Sequence, residues 1–365
     1  MDSHRKEISY SKRQIYLLGK MEEKYDIVWV IGEGIGNTLE ALYSVEYCLQ
    51  QQIKAGVILK DLGNSFISYL KSCYGNIILD ETRPIKTKHL IHSWLVEQSF
   101  EVEYDHYFYI NPDNLSSQFL SEDEQYLSVV RALYPSPYES HVLTKLIEEQ
   151  PDDSIDYKTK HILYAGCSKP SPSKRWPHFN SLAERLSKDE VVFIGGPDDI
   201  DFSFSFTYPN IVGKLLPKKV TNRIEFWKLL KRFGILKKYA QYHYHLDESV
   251  SSRIGVFSWP QLVYVLRHSK GFFGNDGGLS HLAGASGAKG VVVFGPSSIK
   301  KSHPFSHRIT SISKNLPCQP CLFEVDGIHM GKNYINCPYS VKCLKDITVD
   351  EVISTWESNS KTQQD

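Results

Sequence analysis

Four stretches of this 365-residue chain place reactive side chains at spacings that could do chemistry. In Gly271–Ser298 (GFFGNDGGLSHLAGASGAKGVVVFGPSS) a strand runs into Asn275-Asp276-Gly277-Gly278 and on into a helix of small residues. Two glycines at the mouth of a helix leave backbone N–H groups uncovered, so a diphosphate can approach them and the helix dipole. His281, one turn in, adds a charged or neutral donor. The same residues also read as a tight turn with Asp276 as N-cap and His281 merely packing. Tyr164–Pro177 (YAGCSKPSPSKRWP) opens a strand into a polar loop carrying Ser168, Lys174 and Arg175, side chains suited to phosphate or sugar hydroxyls, with Trp176 packing beneath. Alone, an exposed Lys-Arg pair is usually solvated surface. At the same sheet edge as the first motif it reads as part of an anion site.

Gly32–Glu40 (GEGIGNTLE) resembles a dinucleotide fingerprint only loosely, since Gly36 comes one residue early and Asn37 stands where glycine is required. The loop still offers Glu33, Asn37 and Glu40 to a cleft, or simply caps a helix. Glu40, one turn into that helix, is expected to point along its surface. Finally, Cys318-Gln-Pro-Cys321, with Cys337 and Cys343 after it, has the spacing of a tetrahedral metal site for Zn or Fe. Four reduced thiols in a loop are the alternative. Cys48, Cys73 and Cys167 read as ordinary buried thiols.

The elements that must position these groups alternate. Strands are expected at Asp26–Ile31, Ala55–Leu59, Ile77–Leu79 and Tyr107–Ile110, with helices over Thr38–Gln50, through Phe66, Leu70 and Cys73, and over Gln118–Leu133. After an acidic, proline-broken linker at Glu148–Asp156 the rhythm restarts. Strands His161–Tyr164, Glu190–Ile194, Gly271–Phe273 and Gly290–Phe294 then alternate with helices Phe179–Leu186, Pro260–His268 and Leu279–Ala285. Tyr208–Ser249 reads as an insertion holding a helix at Arg223–Phe233, and Val349–Trp356 as a closing helix. Such alternation implies parallel sheets with crossover helices, and a ligand in the cleft at the strands' carboxyl ends. The division is an N-terminal extension (1–26), a first α/β unit (27–150), a second (157–345, with the insertion near 208–249 and a cysteine loop at 318–343), and a closing helix and tail (346–365).

Composition bounds the partners. Lys+Arg and Asp+Glu number 42 each, so no basic excess is present for nucleic acid or an anionic membrane. No apolar run approaches the ~18 residues of a membrane span. The mixed-charge first 26 residues do not read as a signal peptide. A cytoplasmic protein is expected, with any inner-membrane contact peripheral.

In order, GIGN, SPSKRWP, NDGGLSHLAGASG with VVVFGP, and CQPC…CP…CLKDITVDEV resemble the ADP-heptose–lipopolysaccharide heptosyltransferases, glycosyltransferase family 9, over roughly residues 27–355. The resemblance implies a GT-B arrangement: two facing Rossmann-like domains, each with a parallel sheet. It also implies inversion at the anomeric carbon and no metal in the chemistry, so that Zn or Fe would be structural. It places Lys174, Gly277, Gly278, Leu279 and His281 at the donor diphosphate, with Asp276 orienting the loop. An acidic residue commonly follows the family's first-loop glycine as general base; here that position is Asn37, and an amide cannot accept the proton. The family's DTG is here Asp276-Gly277-Gly278. Glu33 or Glu40 is left to serve as base; Glu33, between two glycines, is the one expected to do so, with Asn37 orienting the acceptor or capping the helix. Some relatives glycosylate autotransporter proteins and carry a cysteine-bound iron. The expected partners are thus a nucleotide-diphosphate sugar and a lipopolysaccharide-type glycan or a protein hydroxyl. A catalytically silent sugar-nucleotide-binding or scaffold protein is the alternative that Asn37 motivates, and a metal-finger interaction module is a third reading.

Overall fold

The computed structural model describes residues 23–32, 34–80, 85–93, 96, 102–110, 120–167, 172–196, 199, 201–207, 238–320 and 341–362. In chain order the first half contains β1 (Glu23–Gly32), α1 (Ile35–Gln50), β2 (Ala55–Lys60), α2 (Asn64–Tyr74), β3 (Ile85–Ser93), β4 (Val102–Ile110) and α3 (Glu122–Leu133). The second half begins with β5 (His161–Tyr164), α4 (Phe179–Leu186), β6 (Val191–Ile194), β7 (Asp201–Thr207), β8 (Lys238–His245), β9 (Ser251–Ser252) and α5 (Trp259–His268). It continues through β10 (Gly271–Asn275), α6 (Gly278–Ser286), β11 (Gly290–Val293), α7 (Ile299–Ser302), β12 (Ile309–Ile312), α8 (Lys342–Lys345) and α9 (Val349–Thr362).

Two parallel sheets result, β2-β1-β3-β4 and β12-β11-β10-β5-β6-β9, while β7 and β8 pair antiparallel by themselves. The α/β architecture therefore stands as the alternation implied. Parallel neighbours require crossovers, and α1, α4 and α6 supply those from β1 to β2, β5 to β6 and β10 to β11. One expected strand is corrected: Ile77–Leu79 is a 3-10 turn at Gly75–Ile77 followed by a single bridge from Ile78 to Val57. That bridge lies on the outer edge of β2, while β3 flanks β1 on its other side, paired from Glu23↔Ile85 to Val30↔His92. The expected helix at Arg223–Phe233 lies outside the described residues. None of the described helices is long and apolar enough to cross a membrane.

Local chemistry explains the elements nearest the cleft. Gly32 ends β1 where an added Cβ would lie 2.1 Å from the Lys60 carbonyl oxygen, so only glycine lets β1 and β2 approach so closely. Gly34 takes φ 126°, and Thr38 Oγ1 donates to its carbonyl at 2.9 Å. α1 then departs from a one-faced helix, for every residue from Thr38 to Cys48 is buried. It packs against α3 on one side and α6 on another, and one apolar core runs from Trp29 and Leu42 through Leu279 and Leu282 to Phe272. A helix enclosed on all sides must bury its polar residues too. Trp29 Nε1 donates to Ser44 Oγ at 2.9 Å, and Glu46 accepts from Tyr74, Thr144 and Lys145.

Candidate active site

The site grows from the carboxyl end of β10. Asn275 is fully buried and its side chain is spent on backbone: Nδ2 donates to the carbonyls of Ala165 (2.9 Å) and Gly166 (3.0 Å), while Oδ1 accepts from Trp176 N at 2.9 Å. One amide thus fixes the loop after β5 and the loop bearing Lys174 against β10. Trp176 is buried and its indole N–H donates to the Ile347 carbonyl at 2.9 Å, closing the C-terminal segment beneath that loop.

Asp276 does not cap α6. Its Oδ2 lies 2.7 Å from Lys174 Nζ and accepts from Ser297 Oγ, so its carboxylate joins the Lys174 loop to the loop after β11. The N-cap of α6 is Gly277, extended at φ −176°, without a side-chain cap, and Gly277 and Gly278 are half-exposed. The first amides of α6 therefore open beside a lysine, which is the arrangement an anion needs. At its other end α6 stops at Gly287, left-handed at φ 82°.

Arg175 has another job than the donor contact expected of it. Its guanidinium is buried, with Nη2 donating to Asp199 Oδ1 at 2.5 Å and Nη1 to the Ala165 carbonyl at 3.1 Å. Asp199 Oδ2 also accepts from Gly196 N at 2.9 Å, so the pair ties the loops after β5 and β6 together. Leu279 is buried in the core between α1 and α6. Ser168, Glu33, Cys321 and Cys337 lie outside the described residues.

The opposite wall comes from α1. An added Cβ on Gly36 would lie 2.9 Å from His281 Cδ2, and one on Gly278 3.0 Å from Ile35 Cβ, so the two helix mouths meet directly. Asn37 is half-buried at this seam. Glu40 does not point along the helix surface: it is 3% exposed, with Oε1 3.4 Å from His281 Nδ1. Burial, reinforced by Glu122, Asp123 and Asp276, holds the Glu40 carboxyl well above the usual range. Burial likewise pushes His281 down to about 4, opposed by Asp276 and assisted by Lys174 and His303. On the first turn of α3, burial pushes Asp123 up to about 7. Sequence patterns give Asn275 a place in the motif after β10 but no role, and do not single out Asp199, Glu122 or Asp123. The available signal was the family-like run around Asn275 and the acidic start of α3.

Residues 243–329 match the model of glycosyltransferase family 9 (heptosyltransferase). No curated protein sequence matches the chain. Among solved structures, the iron-containing dodecameric glycosyltransferase TibC from enterotoxigenic E. coli H10407 is 14% identical with TM-score 0.56, over 94% of this chain and 78% of that one. TibC is also known in complex with ADP-D-β-D-heptose, at 13% identity and TM-score 0.56 over 97% and 81% of the two chains. A glycosyl transferase family 9 protein from Veillonella parvula DSM 2008 gives 13% identity and TM-score 0.55 over 93% of this chain and 99% of its own. The chain is thus similar to glycosyltransferase family 9 in sequence over residues 243–329, and to proteins of that family in fold over nearly its whole length.

Proposed function

We propose that this chain is an inverting glycosyltransferase that moves a heptose-like sugar from a nucleotide-diphosphate donor to the hydroxyl of a lipopolysaccharide-type glycan or a protein. The observation that carries the reading is the uncapped mouth of α6 beside Lys174. Charge grows on the departing nucleoside diphosphate in the transition state, and preorganised amides with a lysine oppose it there. Lys174, Gly277, Gly278, Leu279 and His281 line this grip and Asp276 sets the lysine. In this reading the lysine and the amides, rather than a metal, carry the leaving group's charge, and the reaction takes place at the cytoplasmic face. A thermal-shift panel of ADP-, UDP- and GDP-sugars, including ADP-D-β-D-heptose, tests it. A true donor at 100 times its Kd stabilises the native state by about 2.7 kcal/mol. Stabilisation by none of them overturns the reading.

Asn37 favours a second reading, a sugar-nucleotide-binding protein without turnover. The two separate on donor hydrolysis: a silent protein is stabilised by the donor yet releases no nucleoside diphosphate above the solvent rate.

The thiols suit a structural ion. Cys318 is half-buried and Cys343 buried, and they flank one point: Gln319 Nε2 donates to the Gly295 carbonyl at 2.5 Å, while a Cβ on Gly295 would lie 2.6 Å from Leu344 Cγ. The two ends of the cysteine set thus converge on the loop after β11. No group of three or more His, Cys, Asp or Glu that could hold an ion occurs among the described residues, which exclude Cys321 and Cys337. Zn or Fe held by the four thiolates would clamp this loop beside Ser297, supplying structure. Purified protein is expected to carry about one Zn or Fe per chain, and chelation to lower its Tm. Metal-free protein of unchanged stability would return the thiols to ordinary loop cysteines.

A further inference from the structure

We propose that Glu40 and His281 form the proton-accepting pair of this site, His281 Nε2 taking the acceptor's hydroxyl proton while Glu40 positions the imidazole and balances its charge. The inference rests on the transferase reading above and supplies the base that Asn37 cannot be.

Two buried glutamates on α1 show what is unusual. Glu46, 2% exposed, accepts from Tyr74 Oη (2.8 Å), Thr144 N (2.8 Å), Thr144 Oγ1 (2.7 Å) and Lys145 N (3.1 Å). Glu40, 3% exposed, has no hydrogen-bond donor on Oε1 among the described residues, only the imidazole at 3.4 Å. A buried carboxyl oxygen left without a donor is costly, and such costs cluster where function uses them.

The imidazole divides its two nitrogens between the walls. Nδ1 faces Glu40, and the Cδ2–Nε2 edge lies against Gly36, where an added Cβ would come within 2.9 Å of Cδ2 and 3.3 Å of Nε2. Glycine immediately before Asn37 is what leaves room for that edge. Base, orienting carboxyl and nucleophile site in this order follow the logic by which a carboxylate fixes a histidine tautomer. His281 sits one turn from the amides that would hold the diphosphate, a spacing that lets a sugar lie between them.

The surrounding charges make the pair depend on the donor. Glu40 is faced by Glu122 and Asp123 from α3 and by Asp276 and Lys174, and His281 by Asp276, Lys174 and His303. Burial disfavours the charged form of each partner in the free protein. A diphosphate at α6 adds negative charge beside the ring and favours imidazolium, so the base strengthens when the donor is bound. In the step itself the hydroxyl oxygen bonds to the anomeric carbon, and the bond from that carbon to the diphosphate oxygen breaks. Its electron pair leaves with the nucleoside diphosphate. The hydroxyl proton moves to Nε2, Nδ1–H stays directed at Glu40, and the proton is lost to solvent as product departs.

ADP release from ADP-D-β-D-heptose tests the pair. Glu40→Gln and His281→Gln are each expected to lower kcat by roughly 10²–10⁴-fold, and Glu40→Gln to leave the donor KM within about threefold. The double variant should be no slower than the slower single one, because the two act as a unit. Glu40→Asp should recover part of the rate. Glu40→Gln should keep or raise Tm, since it removes a desolvated acid, whereas a purely structural glutamate would lose stability. Parent-like kcat in Glu40→Gln, losses that multiply in the double variant, or a loss in KM alone would overturn the pair. A parent that binds the donor but releases no ADP also overturns it and favours the silent reading. A parent that no nucleotide sugar stabilises sinks the transferase reading, and the pair with it.

Discussion

Asp199→Ala is expected to destabilise the protein by about 3–5 kcal/mol, the cost of stripping one partner from a buried ion pair. The side chains of Arg175 and Asp199 are 3% and 9% exposed, and Nη2 and Oδ1 lie 2.5 Å apart. A guanidinium does not escape by deprotonating, so removing the carboxylate leaves a full charge in a place water scarcely reaches. Gly196 N loses its acceptor in the same step. At this chain length the loss corresponds to a fall in Tm of roughly 4–7 °C. Pairing the change with Arg175→Met should restore much of it, because an apolar pair carries no desolvation penalty. Calorimetry on the single and double variants checks both expectations. An Asp199→Ala protein as stable as its parent would mean that the guanidinium is hydrated and free, and Arg175 would return as a ligand for the donor.

That reassignment shows where sequence reading ran short. Lys174 and Arg175 are adjacent, alike in charge and equally suited to phosphate on paper. They part because Asp199, 24 residues on, captures the guanidinium, while Asp276 meets the lysine at the mouth of α6. Long-range partners of this kind leave no local mark. The strands and helices that frame the site were far more legible. β5, β10, α6 and β11 carry near-continuous apolar runs bounded by glycine or polar turns, the signature of elements buried on both faces, while α4 shows its buried Phe179, Leu182 and Ala183 at helical spacing. β3 (IKTKHLIHS) hides from that reading through its polar first half, whose charges are met across strands: Lys86 by Glu103 and Lys88 by Asp26, each at 2.6 Å. Glu40 was misjudged for a related reason. A charged residue one turn into a helix is ordinarily solvated, and only the packing of α6 against α1 puts it indoors.

Lys174→Ala is expected to weaken ADP binding by about 1–3 kcal/mol, or roughly 5–150-fold in Kd, the worth of a charge-assisted hydrogen bond. In the free protein Lys174 Nζ is held 2.7 Å from Asp276 Oδ2, and the two side chains are 16% and 4% exposed. Asp276 keeps the ammonium at the mouth of α6 at the cost of sharing its charge with any incoming phosphate. The amides of α6 remain when the lysine is removed, so binding should weaken rather than vanish. The variant also strands a buried carboxylate, and a fall in Tm is expected beside the fall in affinity. Titration calorimetry well below the Tm of each variant keeps the two effects apart. Asp276→Asn supplies the complementary case, for it frees the ammonium while keeping an acceptor for Ser297. If the ammonium reaches phosphate, Asp276→Asn should bind ADP at least as tightly as the parent as long as the loop stays in place. An ADP affinity in Lys174→Ala within a factor of about two of the parent's would take Lys174 out of the site, and the grip would then reside in the helix mouth alone.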